Sequence, residues 1–212
     1  MEIYFESDLM KARTFTKFFK NFLFLKEGVR MLQQKPFVLA VSAVSGGGKT
    51  TLVKQLNATL VKSKALYFDE YDFDDSPKDI CEWVENGADH SQWNLTPLIN
   101  DLRSLIFAEN QSLKYIILDY PFAYRHKAMS ELLNFTIFID TPLDVALCRR
   151  IQRDYKNTKT EIIQNDITNY HDRGRNAYLN MLSTVKPNSD YIVDGLLPIE
   201  TIIELIIQEI TK

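Results

Sequence analysis

Residues Phe37 to Leu52 read FVLAVSAVSGGGKTTL, and the order of residue types in that stretch decides the fold. Phe37 to Val41 is an apolar run that favours an extended strand. Beyond it come Ser45, three successive glycines (Gly46, Gly47, Gly48), then Lys49, Thr50 and Thr51, after which apolar residues recur at helical spacing. Strand, glycine loop and helix, in that order, are the setting in which Gly-x-x-x-x-Gly-Lys-Ser/Thr binds phosphate. The first position of that pattern is here Ala43, and the remainder, Gly48-Lys49-Thr50, is intact. Three of the seven glycines in the chain fall in this run, so glycine abundance does not account for it.

A triphosphate presents several negative charges that must be met by donors approaching without an intervening side chain, and Gly46, Gly47 and Gly48 permit that approach. Amide N–H groups at the start of a helix lack partners inside it, and the helix dipole adds roughly 0.3–1 kcal/mol in favour of an anion. Lys49 supplies a point charge for the β and γ phosphates and Thr50 a hydroxyl for Mg²⁺. The residues expected to hold ATP are therefore Ser45, Gly46, Gly47, Gly48, Lys49, Thr50 and Thr51. A glycine-rich turn with an incidental lysine is the plain alternative, and the flanking strand and helix weigh against it.

At 212 residues the chain suits one α/β domain with an extension or a small lid. Its formal net charge of −3 gives no global reason to expect a nucleic-acid partner. Cys81 and Cys148 lie far apart without metal-ligand spacing, as in a reduced cytosolic protein. The N-terminal residues lack the pattern of a secretory signal, and no apolar run approaches the roughly 18 residues of a membrane span. A soluble cytoplasmic protein with no membrane span is expected, and the composition leaves oligomerisation open.

Residues 8–34 read as a helix, with Phe15, Phe18, Phe19, Phe22, Leu25, Val29 and Leu32 three or four apart; packing of this aromatic stripe on the main domain is the plain reading, a membrane or partner contact the other. After a helix over 50–61, a strand over 65–68 delivers Asp69 to the sheet edge where parallel α/β proteins bind ligands, ahead of the acidic and aromatic run 69–75. Residues 77–105 form a helical insertion with Trp83 and Trp93 and a helix over 96–106. Tyr115 to Asp119 is an apolar strand ending in a carboxylate, which places Asp119 at the same edge as the phosphate loop and makes it, with Thr50, the metal-directed pair. A buried strand over 135–140 precedes a helix over 142–153 that ends in Arg149, Arg150 and Arg153; these either complement the helix dipole or bring mobile charge to a phosphate. A polar helix over 165–182, a strand over 190–193 and an amphipathic helix over 199–210 complete the chain. Alternating strands and helices imply a parallel sheet covered on both faces.

Several of these segments together resemble the uridine kinase-like branch of the P-loop nucleoside kinases, which also includes phosphoribulokinase and the bacterial pantothenate kinase. The likeness runs from Phe37 to about residue 207 and rests on Ser42 to Thr50, on Asp69 followed by Tyr71, on Ile139-Asp-Thr-Pro-Leu-Asp-Val145 leading into Arg149 to Asp154, and on Tyr191 to Asp194. It implies a three-layer α/β/α kinase domain over 36–212, with a five-stranded, mostly parallel sheet and a helical lid over about 153–175, preceded by a helical extension over 1–35. It also implies ATP as donor, Asp69 as general base, and Arg149, Arg150 and Arg153 at the start of the lid. Where uridine kinases usually carry Glu-Gly after the third strand, this chain has Asp119-Tyr120-Pro121, so the acceptor pocket departs from the family pattern.

The expected activity is transfer of the γ-phosphoryl group of ATP, with Mg²⁺, to a hydroxyl of a small metabolite, a nucleoside such as uridine first among them. Lys49, Asp69, Arg149 and Arg153 are the expected catalytic groups. Tyr71, Phe73, Trp93, Tyr120, Phe122 and Tyr124 are stacking candidates for the acceptor, each also a candidate core residue. The rival reading is a P-loop ATPase switch or nucleotide-binding module acting on a protein partner. Tyr120 stands where remodelling ATPases place a glutamate, and no Asn-Lys-x-Asp base reader is present.

Overall fold

Alternation along the first strand sorts the core into two layers: Val38 and Ala40 pack on one face of a sheet, Leu39 and Val41 on the other. The structure, a computed structural model, describes residues 35–108 and 112–212, and the helix expected over 8–34 lies outside them. Five strands are present among the described residues: β1 (Phe37–Ser42), β2 (Ser63–Tyr67), β3 (Tyr115–Asp119), β4 (Phe135–Asp140) and β5 (Tyr191–Asp194). Their order is β2-β3-β1-β4-β5, and every neighbouring pair is parallel. Parallel neighbours need crossover connections, which is why helices alternate with strands and cover both faces.

Helix α1 (Lys49–Thr59) buries Leu52, Val53 and Leu56 on the face that also holds Ile117, Ile137, Ile139, Ile202 and Ile206. On the opposite face lie α2 (Ile80–Glu85), α3 (Thr96–Ile106) and α4 (Lys127–Ser130), which bring Trp83, Leu98, Leu102 and Met129 onto Ile116 and Leu118. Asp79 caps α2 by accepting from the amides of Cys81 and Glu82, a local start signal for this short helix. Truncating a buried leucine such as Leu52 or Leu102 to alanine removes on the order of 2–5 kcal/mol. Helices α5 (Leu143–Asp154), α6 (Thr160–Asn169), α7 (Arg175–Asn180) and α8 (Ile199–Ile210) follow β4. Among the described residues no helix is long and apolar enough to cross a membrane.

Two boundaries differ from expectation. Strand β2 ends at Tyr67, and Phe68 opens a 3-10 turn over Phe68–Glu70, because its ring is drawn into the aromatic cluster beneath the loop. The lid helix begins at Thr160 instead of 165 and is carried to Val185 by π-helical turns at Tyr170–Gly174 and Met181–Val185. Its first segment, α6, buries no residue, in keeping with a polar arm that stands off the core.

The sheet register fixes where chemistry can occur. Val41 lies opposite Asp119, and Asp119 opposite Tyr67, so β1, β3 and β2 finish along one edge. The phosphate loop, Asp119 and Asp69 all leave the sheet there.

Candidate nucleotide and acceptor site

The loop between β1 and α1 closes through the Gly47 amide, which donates to the Val44 carbonyl at 2.8 Å. Gly46 has φ +81°, and a Cβ on it would lie 2.0 Å from the Ala146 carbonyl oxygen, so only glycine lets the loop rest on α5. Gly48, at φ +98°, is the N-cap of α1 and has no side chain to cap with, which leaves the first-turn amides of the helix facing the loop. That is a nest of N–H donors at a positive helix end, suited to an anion.

At the mouth of this nest Asp119 binds two groups at once. Its Oδ1 forms an ion pair with the Lys49 ammonium, and its Oδ2 accepts from the Thr50 hydroxyl at 2.5 Å. Asp119 is 2% exposed, so the carboxylate is fixed by these bonds and by its place in β3. A hydroxyl and a carboxylate are hard oxygen donors of the kind Mg²⁺ takes. Mg²⁺ is usually held by one or two protein ligands, with phosphate and water completing the octahedron. Among the described residues no group of three or more His, Cys, Asp or Glu side chains could hold a metal by itself. Thr50 and Asp119 therefore fit the metal that the loop implies.

Asp69 lies in the turn just beyond β2, exposed, and among the described residues its side chain makes no hydrogen bond or ion pair. Glu70, Asp72, Asp74 and Asp75 are exposed too. Burial, and after it the carboxylates of Glu70 and Asp119, raise the pKa of the Tyr67 phenol.

Of the aromatics of this region, each a candidate either for acceptor stacking or for the core, three belong to the core. Trp93, Tyr120 and Phe122 are buried and pack around Phe68, with centroid separations of 5.6, 6.2 and 5.5 Å. They build the floor of the site, not an open slot. Tyr124 donates to Asp190 at 2.6 Å and Tyr71 to Asp101 at 3.0 Å, so their hydroxyls are engaged within the protein. Phe73, half-buried, lies 4.6 Å from the Phe68 ring.

The three arginines part company. Arg149 donates to the Gly195 carbonyl at 3.2 Å, Arg150 is held by both oxygens of Asp166 at 3.2 and 2.6 Å, and Arg153 pairs with its neighbour Asp154 at 2.6 Å. Arg149 and Gly195 border a cleft of about 310 Å³ that also touches Gly47, Thr51, Ile139 and Leu197. Farther along the lid, Arg173 reaches Asp79 at 3.3 Å and Glu85 at 3.5 Å, joining the lid to α2.

Two residues not read from the sequence tie this cleft to the loop. The Thr141 hydroxyl donates to the Gly47 carbonyl at 3.0 Å, and a Cβ on Gly195 would fall 1.9 Å from that hydroxyl oxygen. The sequence signals were the position of Thr141 immediately after β4, at the sheet edge that binds ligands, and its place in the Ile139 to Val145 segment that carries the resemblance.

The geometry agrees with what the chain is similar to. The model of the phosphoribulokinase/uridine kinase family matches residues 109–201. A uridine kinase of Leuconostoc citreum is 30% identical over 147 residues, which cover 57% of this chain and 69% of that protein. One from Ligilactobacillus salivarius is 25% identical over 184 residues, covering 76% and 86%. Among solved structures, a "possible uridine kinase" from Bacillus stearothermophilus shares the fold with a TM-score of 0.50 at 18% identity, covering 87% of this chain and all of that one. Phosphate loop and parallel sheet are thus those of a P-loop kinase, and the chain belongs to the phosphoribulokinase/uridine kinase family.

Proposed function

We propose that this kinase transfers the γ-phosphoryl group of ATP to a hydroxyl of a small metabolite, with uridine and related nucleosides the first acceptors to test. The observation that carries the reading is the meeting of Lys49 and Thr50 on Asp119 at the sheet edge from which Asp69 also projects. The relatives named uridine kinase support the acceptor class.

Phosphoryl transfer needs little covalent help from a protein; catalysis is positioning and charge stabilisation. The amides of Gly46 to Thr51 and the Lys49 ammonium grip the phosphate chain, and the cleft beside Arg149 receives the base, with the guanidinium plane available to stack on it. Thr50 and Asp119 would hold Mg²⁺, which would supply positive charge to offset that of the phosphates. Asp69 takes the acceptor hydroxyl proton as a bond forms from that oxygen to the γ phosphorus and the bond to the β–γ bridging oxygen breaks, releasing ADP. Arg149 and Arg153 bring positive charge from the start of the lid over 153–175. The free thiols of Cys81 and Cys148 fit a reducing compartment such as the cytoplasm.

Tyr120 stands where uridine kinases usually carry a glycine and is buried in the core, so a panel of acceptors is the deciding experiment. ADP release is measured with ATP and Mg²⁺ against nucleosides and small polyols, with Lys49→Ala as the blank. Release that rises several-fold with one acceptor supports the reading. Release indifferent to every hydroxyl compound, yet raised by a protein partner, sinks it in favour of an ATPase switch.

A further inference from the structure

The phenol of Tyr178 sits where the phosphate loop, α5 and the returning arm of the lid meet. It packs with Val44, Ala146 and Val185, and its ring meets Tyr170 edge to face at 5.1 Å. Its hydroxyl is sealed from solvent and has no hydrogen-bond partner. A buried hydroxyl left unpaired is destabilising, and phenylalanine would fill the same space without that cost. The pairing of this hydroxyl is therefore the question the site poses.

Its polar neighbours are Ser45 and Arg150. Burial raises the pKa of Tyr178, while the Arg150 charge and the Ser45 hydroxyl pull it back down, so both stand close to the phenol although neither completes a hydrogen bond to it. Arg150 directs its two terminal nitrogens at Asp166 and leaves Nε buried and unpartnered. Gly46 rests on this same part of α5, since a Cβ there would lie 3.1 Å from the Arg150 Cβ. Two donors without hydrogen-bond acceptors, the Tyr178 hydroxyl and Arg150 Nε, thus lie where α5 and the lid arm pack on the phosphate loop. An oxyanion completes such a pair, because hydrogen bonds to a charged acceptor are the strong ones.

We propose that Tyr178 is a phosphate-binding residue, its hydroxyl donating to an oxygen of the terminal phosphates of ATP beside Ser45 and Gly46. The assignment rests on the reading of the loop as the nucleotide site. It makes Tyr178 a specificity residue for chain length, favouring ATP over AMP, and it links the arm that follows Arg173 to occupancy of the donor site.

The test is Tyr178→Phe in the full chain, which removes one oxygen and keeps the ring. Dissociation constants are measured for ATP and for AMP with Mg²⁺, beside the unliganded melting temperature. The variant should weaken ATP about 10–150-fold, the usual range for losing one hydrogen bond to a charged group, and leave AMP within twofold. Its unliganded melting temperature should hold or rise, because an unpaired buried hydroxyl is gone. Tyr170→Phe should leave both nucleotides unaffected. Wild-type ATP affinity in Tyr178→Phe, or equal losses for ATP and AMP, overturns the assignment while leaving the nucleotide site standing. A wild-type protein that binds no ATP overturns both.

Discussion

Lys49 and Asp119, 70 residues apart in sequence, form an ion pair at the C-terminal edge of the sheet, with side chains only 15% and 3% exposed. Helix α1 brings the cation and β3 the anion, so the pair exists only once two crossovers have placed these strands side by side. It holds the lysine at the mouth of the amide nest, where the phosphates of a nucleotide would lie.

Replacement of either partner should affect function in a different way. Lys49→Ala removes charge where the γ-phosphoryl group moves and should lose roughly 10²–10³ in turnover, by analogy with deleting one electrostatic donor. Asp119→Asn keeps the shape and a bond to Thr50 but lowers the charge on the metal. The Mg²⁺ concentration giving half-maximal activity should rise roughly 10–100-fold. Magnesium titrations of both variants check this: an unchanged midpoint in Asp119→Asn removes that residue from the metal.

Gly195→Ala should disturb the loop from behind. The added Cβ would lie 1.9 Å from the Thr141 oxygen and 2.9 Å from Cγ2 of Ile139, and Thr141 is the donor to the Gly47 carbonyl. Crowding of this kind costs about 1–3 kcal/mol, so a lower melting temperature and weaker ATP binding are expected together. Thr141→Val removes only the hydrogen bond and should give a milder loss of about 1 kcal/mol. Paired melting curves and ATP titrations of the two variants separate crowding from the lost bond.

These outcomes bear on what the sequence made legible. The strands, the loop and α1 could be read because their signals are local: alternation, three glycines and a helical period within one stretch. The carboxylate at the end of β3 was legible for the same reason. Whether each of Tyr120, Phe122 and Trp93 joins the core or faces an acceptor stays open in the sequence, since that depends on where Phe68 turns, and Phe68 turns because those rings are there. The Thr141 to Gly47 bond, which joins positions 94 residues apart, was not legible. A lone threonine or tyrosine carries no periodic signal, so Thr141, Gly195 and Tyr178 emerge only from packing.

His90 should make the fold sensitive to mild acid. Burial, and next the charge of Arg125, lower its pKa from 6.5 to about 4, against the opposing influence of Asp89. The folded protein thus resists a proton that the unfolded chain accepts. Stability is full above about pH 6.5 and declines as pH falls toward 4, by at most about 1.4 kcal/mol per pH unit. His90→Phe should flatten that decline relative to wild type in denaturant titrations at pH 7, 6 and 5. Parallel declines would show that His90 does not titrate in this window.

The lid should close over bound substrates. Helix α6 buries no residue, and the contacts of Arg173 with Asp79 and Glu85 are exposed ion pairs of small worth. Protease cleavage within 153–175 should therefore slow when an unreactive ATP analogue and the acceptor are both present. Cleavage at the same rate with and without them would count against a mobile lid.

The central claim is that phosphate passes from ATP to a hydroxyl of a second small molecule, with Asp69 as the proton acceptor. It is tested most directly by following the label from ATP labelled in the γ-phosphate, in the presence of uridine and a panel of small hydroxyl compounds, with wild type and Asp69→Asn side by side. Wild type should place the label in an organic phosphate ester of one acceptor. Asp69→Asn should bind ATP within a few-fold of wild type while transfer falls roughly 10²–10⁴-fold. Label appearing only as inorganic phosphate at a rate no acceptor changes, or full transfer by Asp69→Asn, would contradict it.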